Sequence, residues 1–179
     1  MYNYESLYGI HIEFTSRCNL LCPQCPRVKD GAVNPGLPLE HLSLETVEKI
    51  FTEMSNKIEY AHICGNYGDI IAYPHALEAV DIIQNSGVKY IKLYTNGSAR
   101  VESFWEELGK KLSNNKGQVV FSIDGLDDTN HLYRVNSNFK KIIKNAKAFI
   151  DAGGDAVWEW LPFAHNDHQV EEAIKLSKE

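Results

Sequence analysis

No run of apolar residues in this 179-residue sequence is long enough to span a bilayer, so no membrane partner is expected. Blocks of like charge are missing too. The 18 lysines and arginines stand against 24 aspartates and glutamates, a formal net charge of −6, which speaks against a basic nucleic-acid footprint. The start, Met1-Tyr2-Asn3-Tyr4-Glu5, has neither the basic segment nor the apolar segment of a secretory leader. Internal repeats and low-complexity tracts are absent. Cysteine is scarce, with four residues in the chain, yet three of them fall within eight positions.

What is present fits one globular domain. The length allows a sizeable core, and 44% hydrophobic residues is an ordinary share. From Gly9 to Thr15, Ile10, Ile12 and Phe14 alternate with His11, Glu13 and Thr15, the period of a strand with two distinct faces. Residues 26–42 hold three prolines and two glycines and read as a long excursion. Ser43 is placed to cap a helix running to about Asn56, with Leu44, Val47, Ile50, Phe51 and Met54 as its apolar stripe.

The alternation then repeats. Strands are expected at Tyr60–Gly65, Tyr90–Thr95, Val119–Ile123 and Ala156–Phe163. Helices are expected after Pro74, after Ser103, after a polar loop ending at Asn136, and after a cap at Asp167. Five strand–helix alternations imply right-handed βαβ units and a parallel sheet. A closed eight-fold barrel needs about 250 residues. The remaining choices are an open partial barrel and a doubly wound sheet.

The cysteines read Cys18-x3-Cys22-x2-Cys25, directly after the first strand. Three thiolates on one short loop can wrap one metal centre. Fe–S clusters and structural zinc usually take four protein ligands. Three ligands leave one coordination position open, which suits a centre that binds a small molecule. A disulfide is disfavoured, because three clustered thiols cannot all pair and functional thiols suit a reducing cytoplasm.

The string Thr15-Ser16-Arg17-Cys18-Asn19-Leu20-Leu21-Cys22-Pro23-Gln24-Cys25-Pro26-Arg27 resembles the cluster loop of the radical S-adenosylmethionine superfamily, close to its peptide-modifying SPASM/twitch-like branch. The resemblance implies a fold: an α/β partial (βα) barrel with parallel strands, five βα units evident of the usual six. It implies one radical S-adenosylmethionine domain over 1–179, either minimal or truncated at its C-terminal end. It also implies a 4Fe–4S cluster on Cys18, Cys22 and Cys25, with S-adenosylmethionine on the open iron. No cysteine-rich extension follows, so auxiliary clusters are not expected from this chain.

Further motifs match by order along the chain. Tyr67-Gly68-Asp69-Ile70 resembles the family's Gly-Gly-Glu-Pro, with Asp for Glu and Ile for Pro. Asn66 sits within the same turn. Thr95-Asn96-Gly97 resembles a Thr-Asn-Gly, and Ser122-Ile123-Asp124-Gly125 a Ser-Ile-Asp-Gly. His131-x-Tyr133-Arg134 resembles a His-x-x-Tyr-Arg. By the resemblance, Asn66 to Asp69, Thr95, Ser122, Asp124 and Arg134 contact S-adenosylmethionine, Leu161 lies where the family walls the adenine, and Gln24 takes a position that is often aromatic. Strand parity adds Val120, His11, Glu13, His62, Cys64 and Tyr94 as residues facing the same cavity. Cys64 alone reads as a small core residue, and Trp158 and Trp160 as packing.

The implied activity is reductive cleavage of S-adenosylmethionine to methionine and a 5′-deoxyadenosyl radical that abstracts a substrate hydrogen. A one-electron donor of flavodoxin or ferredoxin type is implied as partner. The substrate, a peptide or a small molecule, is not legible. Two other readings stay open: a non-catalytic Fe–S or zinc-binding interaction module, and a degenerate S-adenosylmethionine binder.

Overall fold

The computed structural model describes residues 6–178; the Met1–Glu5 start lies outside the described residues. Its main sheet holds five parallel strands: β1 (Gly9–Ile12), β4 (Tyr60–Ile63), β5 (Tyr90–Thr95), β6 (Gly117–Ser122) and β7 (Asp155–Glu159), in that spatial order. Each strand lies beside the next one in the chain, with registers such as His11 opposite His62, Tyr60 opposite Tyr90 and Tyr94 opposite Val120. A doubly wound sheet reverses direction at a switch point. This order never reverses, so the sheet is the open, barrel-like alternative, and β1 and β7 do not pair to close it.

The helices are α1 (Leu44–Glu53), α2 (Ala76–Asn85), α3 (Glu102–Leu112), the short α4 (Asn130–Tyr133), α5 (Phe139–Asp151) and α6 (Val170–Leu176). Ser43 caps α1 by accepting from the Thr46 amide. The core forms between the helices and one face of the sheet: Val47, Phe51, Val80, Ile83, Trp105, Leu108 and Phe149 pack with Ile63, Ile91, Leu93, Val119 and Phe121. Each fully buried Leu, Ile or Phe contributes roughly 1.5–3 kcal/mol. Strand alternation makes this possible. In β5, Ile91, Leu93 and Thr95 are buried while Tyr90, Lys92 and Tyr94 are half-buried on the other side.

That other face is lined with rings. Tyr60 stacks on Tyr90 with centroids 6.0 Å apart, His11 on His62 at 5.0 Å, and His62 on Tyr94 at 4.8 Å. It is the concave face, and it leads to the carboxyl ends of the strands.

Several boundaries differ from the sequence expectation. β1 stops at Ile12 rather than Thr15, because the chain changes partners: Phe14 accepts from the Leu42 amide and Thr15 bridges His41. The 26–42 excursion contains a small hairpin, β2 (Val28–Lys29) and β3 (Ala32–Val33), turned by Asp30 and Gly31 at positive φ. Asp-Gly is a strong hairpin signal that was legible there. β7 ends at Glu159, not Phe163, because the Leu161 amide donates to Asp124 Oδ1 instead of a strand. Asp167 does not cap α6. A 3₁₀ turn at Asp167–Gln169 precedes that helix, and neither start has a side-chain cap.

Candidate functional site

The loop after β1 carries Cys18, Cys22 and Cys25 and is held in place by backbone hydrogen bonds, one of them to the segment after α4. The Leu21 amide donates to Val135 O at 3.1 Å, Cys25 to Cys22 O at 3.0 Å and Val28 to Cys25 O at 2.8 Å. Leu20 is buried and anchors the loop below. All four cysteines are free thiols, and all four line one cavity of about 210 Å³ at the carboxyl ends of the strands. Pockets that bury a drug-sized ligand run to roughly 300–1,000 Å³. A larger ligand here therefore extends over the open concave face.

Burial, then the nearby Asp69 carboxylate, pushes the Cys18 thiol up to about 12, against the Leu20 amide and Arg27. Burial also raises Cys22, opposed by Arg134. Without a metal both are thiols at neutral pH, and metal binding must release their protons. The donor set fits a 4Fe–4S cluster with one open iron: three thiols on one cavity wall. Among the described residues, no three His, Cys, Asp or Glu side chains close around one point as a single ion requires. A cluster would not ask for that, since its ligands need not converge on one ion.

The turn after β4 is built by close backbone approach. A Cβ on Gly65 would lie 2.0 Å from Gly68 O, and one on Gly68 would lie 1.8 Å from Thr15 O. Glycine alone leaves room there. Glu13 Oε1 accepts from the Tyr67 amide at 2.8 Å and the Gly68 amide at 2.6 Å. Glu13, whose role the sequence left open, thus ties β1 to this turn.

Asp69 follows, buried, with both oxygens filled. Oδ1 accepts from Thr95 Oγ1 at 2.8 Å and the Ile71 amide at 3.1 Å; Oδ2 accepts from the Asn96 amide at 2.8 Å and Asn96 Nδ2 at 2.6 Å. Burial raises its carboxyl above the usual range, and these donors pull it back down. A carboxylate with four bonds has no lone pair left for a ligand. Asp69 holds the site together instead of presenting a free charge. Asn96 Nδ2 also reaches Asn19 Oδ1 at 3.0 Å and Cys18 Sγ at 3.6 Å, and Asn19 Nδ2 donates to Ser98 Oγ at 2.8 Å.

On the far side stand Ser122, Tyr133 and Arg134. The Ser122 hydroxyl donates to Glu159 Oε2 at 3.2 Å. Arg134 Nε donates to Asp124 Oδ2 at 2.6 Å; burial works against the guanidinium charge, but the Asp124 carboxylate raises its pKa above the usual value. Asp124 is fully buried and does not reach the cavity; it fixes Arg134 and the Leu161 amide.

The structure therefore gathers Cys18, Cys22, Cys25, Asn66 to Asp69, Thr95, Ser122 and Arg134 around one cavity. Gln24 is exposed and off its wall, and Leu161 is 46% exposed and also off it. Of the six residues that parity placed at the cavity, Cys64 and Tyr94 line it while His11, Glu13, His62 and Val120 do not. Cys64 is half-buried at the cavity instead of a core residue, and burial and then Glu159 push its thiol up. Trp158 packs on the core and donates to Ile123 O at 2.9 Å. Sequence reasoning gave no role to Asn96, Arg27 or Glu159. The first two lay inside quoted motifs, and the third sits at the carboxyl end of β7 facing Ser122.

A family model described as the radical SAM superfamily matches residues 12–177. No curated protein sequence matches the chain. Among solved structures, SuiB of Streptococcus suis bound to precursor peptide SuiA is similar with a TM-score of 0.74 at 18% identity, over 96% of this chain and 36% of that one. Histidine-tagged anSMEcpe with bound AdoMet gives 0.73 at 20% identity, over 96% and 46%. BtrN in complex with AdoMet and 2-DOIA gives 0.60 at 13% identity, over 86% and 56%. The chain thus spans between about a third and just over half of these proteins' lengths.

Proposed function

Because the chain belongs to the radical S-adenosylmethionine superfamily, which uses a 4Fe–4S cluster and S-adenosylmethionine, we propose that it is a single radical S-adenosylmethionine domain acting as a hydrogen-abstracting enzyme. One observation carries this reading. Three free cysteines, a glycine-built turn, a serine and a buried arginine converge on one cavity at the carboxyl ends of a parallel sheet.

Cys18, Cys22 and Cys25 would hold the cluster. When bound, the cluster and S-adenosylmethionine supply one-electron reductive cleavage to methionine and a 5′-deoxyadenosyl radical that takes a substrate hydrogen atom. The protein's residues bind and orient. The turn Asn66 to Gly68, whose Tyr67 and Gly68 amides are held by Glu13, lines the cavity on the side where an ammonium group would sit. Arg134, with Nε held by Asp124, lines the cavity and would serve there as a fork for a carboxylate. Ser122 adds a hydroxyl beside it. Tyr133 and Leu20 add apolar surface to the wall.

The electron comes from a donor of flavodoxin or ferredoxin class. A peptide is the proposed substrate. SuiB is known with a precursor peptide and anSMEcpe with peptides, and the sheet here is left open between β1 and β7.

The test is anaerobic. The protein is reconstituted with iron and sulfide, given S-adenosylmethionine and dithionite, and examined for 5′-deoxyadenosine by chromatography. Product from the wild type and none from Cys22→Ala is the expected result. A loaded cluster that neither binds nor cleaves S-adenosylmethionine overturns the proposal in favour of a binding module.

A further inference from the structure

The chain has four arginines, and three are accounted for. Arg17 Nη2 donates to Leu39 O at 2.8 Å at an exposed site. Arg100 Nε donates to Ile71 O at 2.7 Å, and its Nη2 to Tyr73 O. Arg134 is paired with Asp124 at 2.6 Å. Arg27 differs. It is 2% exposed, and it has no carboxylate partner among the described residues. Its Nη2 donates to Leu20 O, but its Nε–H is buried with no acceptor.

A buried, uncompensated cation with an idle donor is costly, because neither its charge nor its hydrogen-bonding capacity is repaid. Arg27 lines the cavity that holds Cys18, Cys22 and Cys25. Three thiolates and an iron–sulfur core bring net negative charge and sulfur acceptors into that space. Such a centre would supply the missing partner.

We infer that Arg27 is a cluster-facing cation, giving its charge and its Nε–H to the sulfur-bound centre and so raising the centre's reduction potential. This rests on the function proposed above. The redox step is one electron passed from the external donor to the cluster, with no bond made or broken and no proton moved. The added electron increases the negative charge beside Arg27, so a fixed cation there favours the reduced state. The Leu20 carbonyl bond has a second effect: it clasps the loop between Cys18 and Cys22. A clasp alone leaves the potential unchanged in a folded, loaded protein.

The experiment is a reductive titration of the loaded full chain, followed by electron paramagnetic resonance, for wild type, Arg27→Gln and Arg27→Lys. Iron and sulfide content and circular dichroism are recorded alongside. Arg27→Gln is expected to shift the reduction equilibrium about tenfold towards the oxidised state, which for one electron is about 59 mV. Arg27→Lys, which keeps the charge and loses the Nε–H, falls between. Unchanged potentials in loaded, folded variants overturn the inference while leaving the proposed function intact. If Arg27→Gln does not fold, Arg27→Lys decides: a lowered potential supports the inference and an unchanged one overturns it. A wild-type protein that takes up no iron and sulfide overturns both.

Discussion

Asp69 Oδ2 is held twice by Asn96, by the backbone amide at 2.8 Å and by Nδ2 at 2.6 Å. The same Nδ2 lies 3.6 Å from Cys18 Sγ, so one side chain joins the cysteine loop to the turn after β4. Replacing Asn96 with alanine leaves a buried carboxylate oxygen short of a donor. The expected loss is about 1–3 kcal/mol, read from urea unfolding. The same variant is expected to retain less iron after desalting, because Cys18 loses a donor to its sulfur. Unaltered stability would show that Asp69 finds water in place of the amide.

Gly68→Ala is expected to cost at least about 3 kcal/mol or to prevent folding. The clash is with a backbone oxygen, Thr15 O at 1.8 Å, which no side-chain rotation relieves. Gly36→Ala is the control. Its nearest contact, Asn34 Oδ1 at 3.5 Å, is ordinary, and the change should stay within about 0.5 kcal/mol. Comparable urea midpoints for the two variants would contradict the packing described.

Glu13 offers one oxygen to two amides of the same turn. Glu13→Gln keeps an acceptor and Glu13→Ala removes it. Alanine is expected to weaken S-adenosylmethionine binding to the loaded protein about tenfold, corresponding to roughly 1.4 kcal/mol, with glutamine close to wild type. Equal weakening by both variants would mean that the negative charge, not the hydrogen bonds, is what counts.

His62 is stacked between His11 and Tyr94, with its Nε2 unpartnered. Burial lowers its pKa, and repulsion from His11 and Lys92 adds to this. The unfolded chain therefore takes up the proton first as pH falls. Stability present above the ordinary histidine pKa of about 6.5 is lost as pH drops through the lower folded value. Urea midpoints are expected to fall between pH 7.5 and 5.5 in the wild type and to fall less in His62→Gln. The same slope in both would place the acid sensitivity elsewhere.

Much of the fold was legible because burial alternates along the strands. Tyr90 to Thr95 declares its two faces in the sequence, and Ser43 declares the start of α1. The cysteine loop was legible from spacing alone. What escaped the sequence depends on tertiary partners. β1 ends early because Thr15 finds His41, and β7 ends early because the Leu161 amide finds Asp124. The turn carboxylate reads as a free ligand group until its four donors, from Ile71, Thr95 and Asn96, are located. Arg27 reads as one more polar loop residue until its burial is known.

The sheet's unreversed strand order has a consequence for assembly. Each βα unit can settle against its predecessor, so the sheet can grow one neighbour at a time from contacts of modest sequence separation. The cavity cannot grow that way. Cys22 and Arg134 meet across it although more than a hundred positions separate them, and Glu159 joins only with the last strand. The pocket is therefore a coincidence detector for completed folding. Any ligand that spans it stabilises the whole chain by mass action and reports that the last strand has arrived.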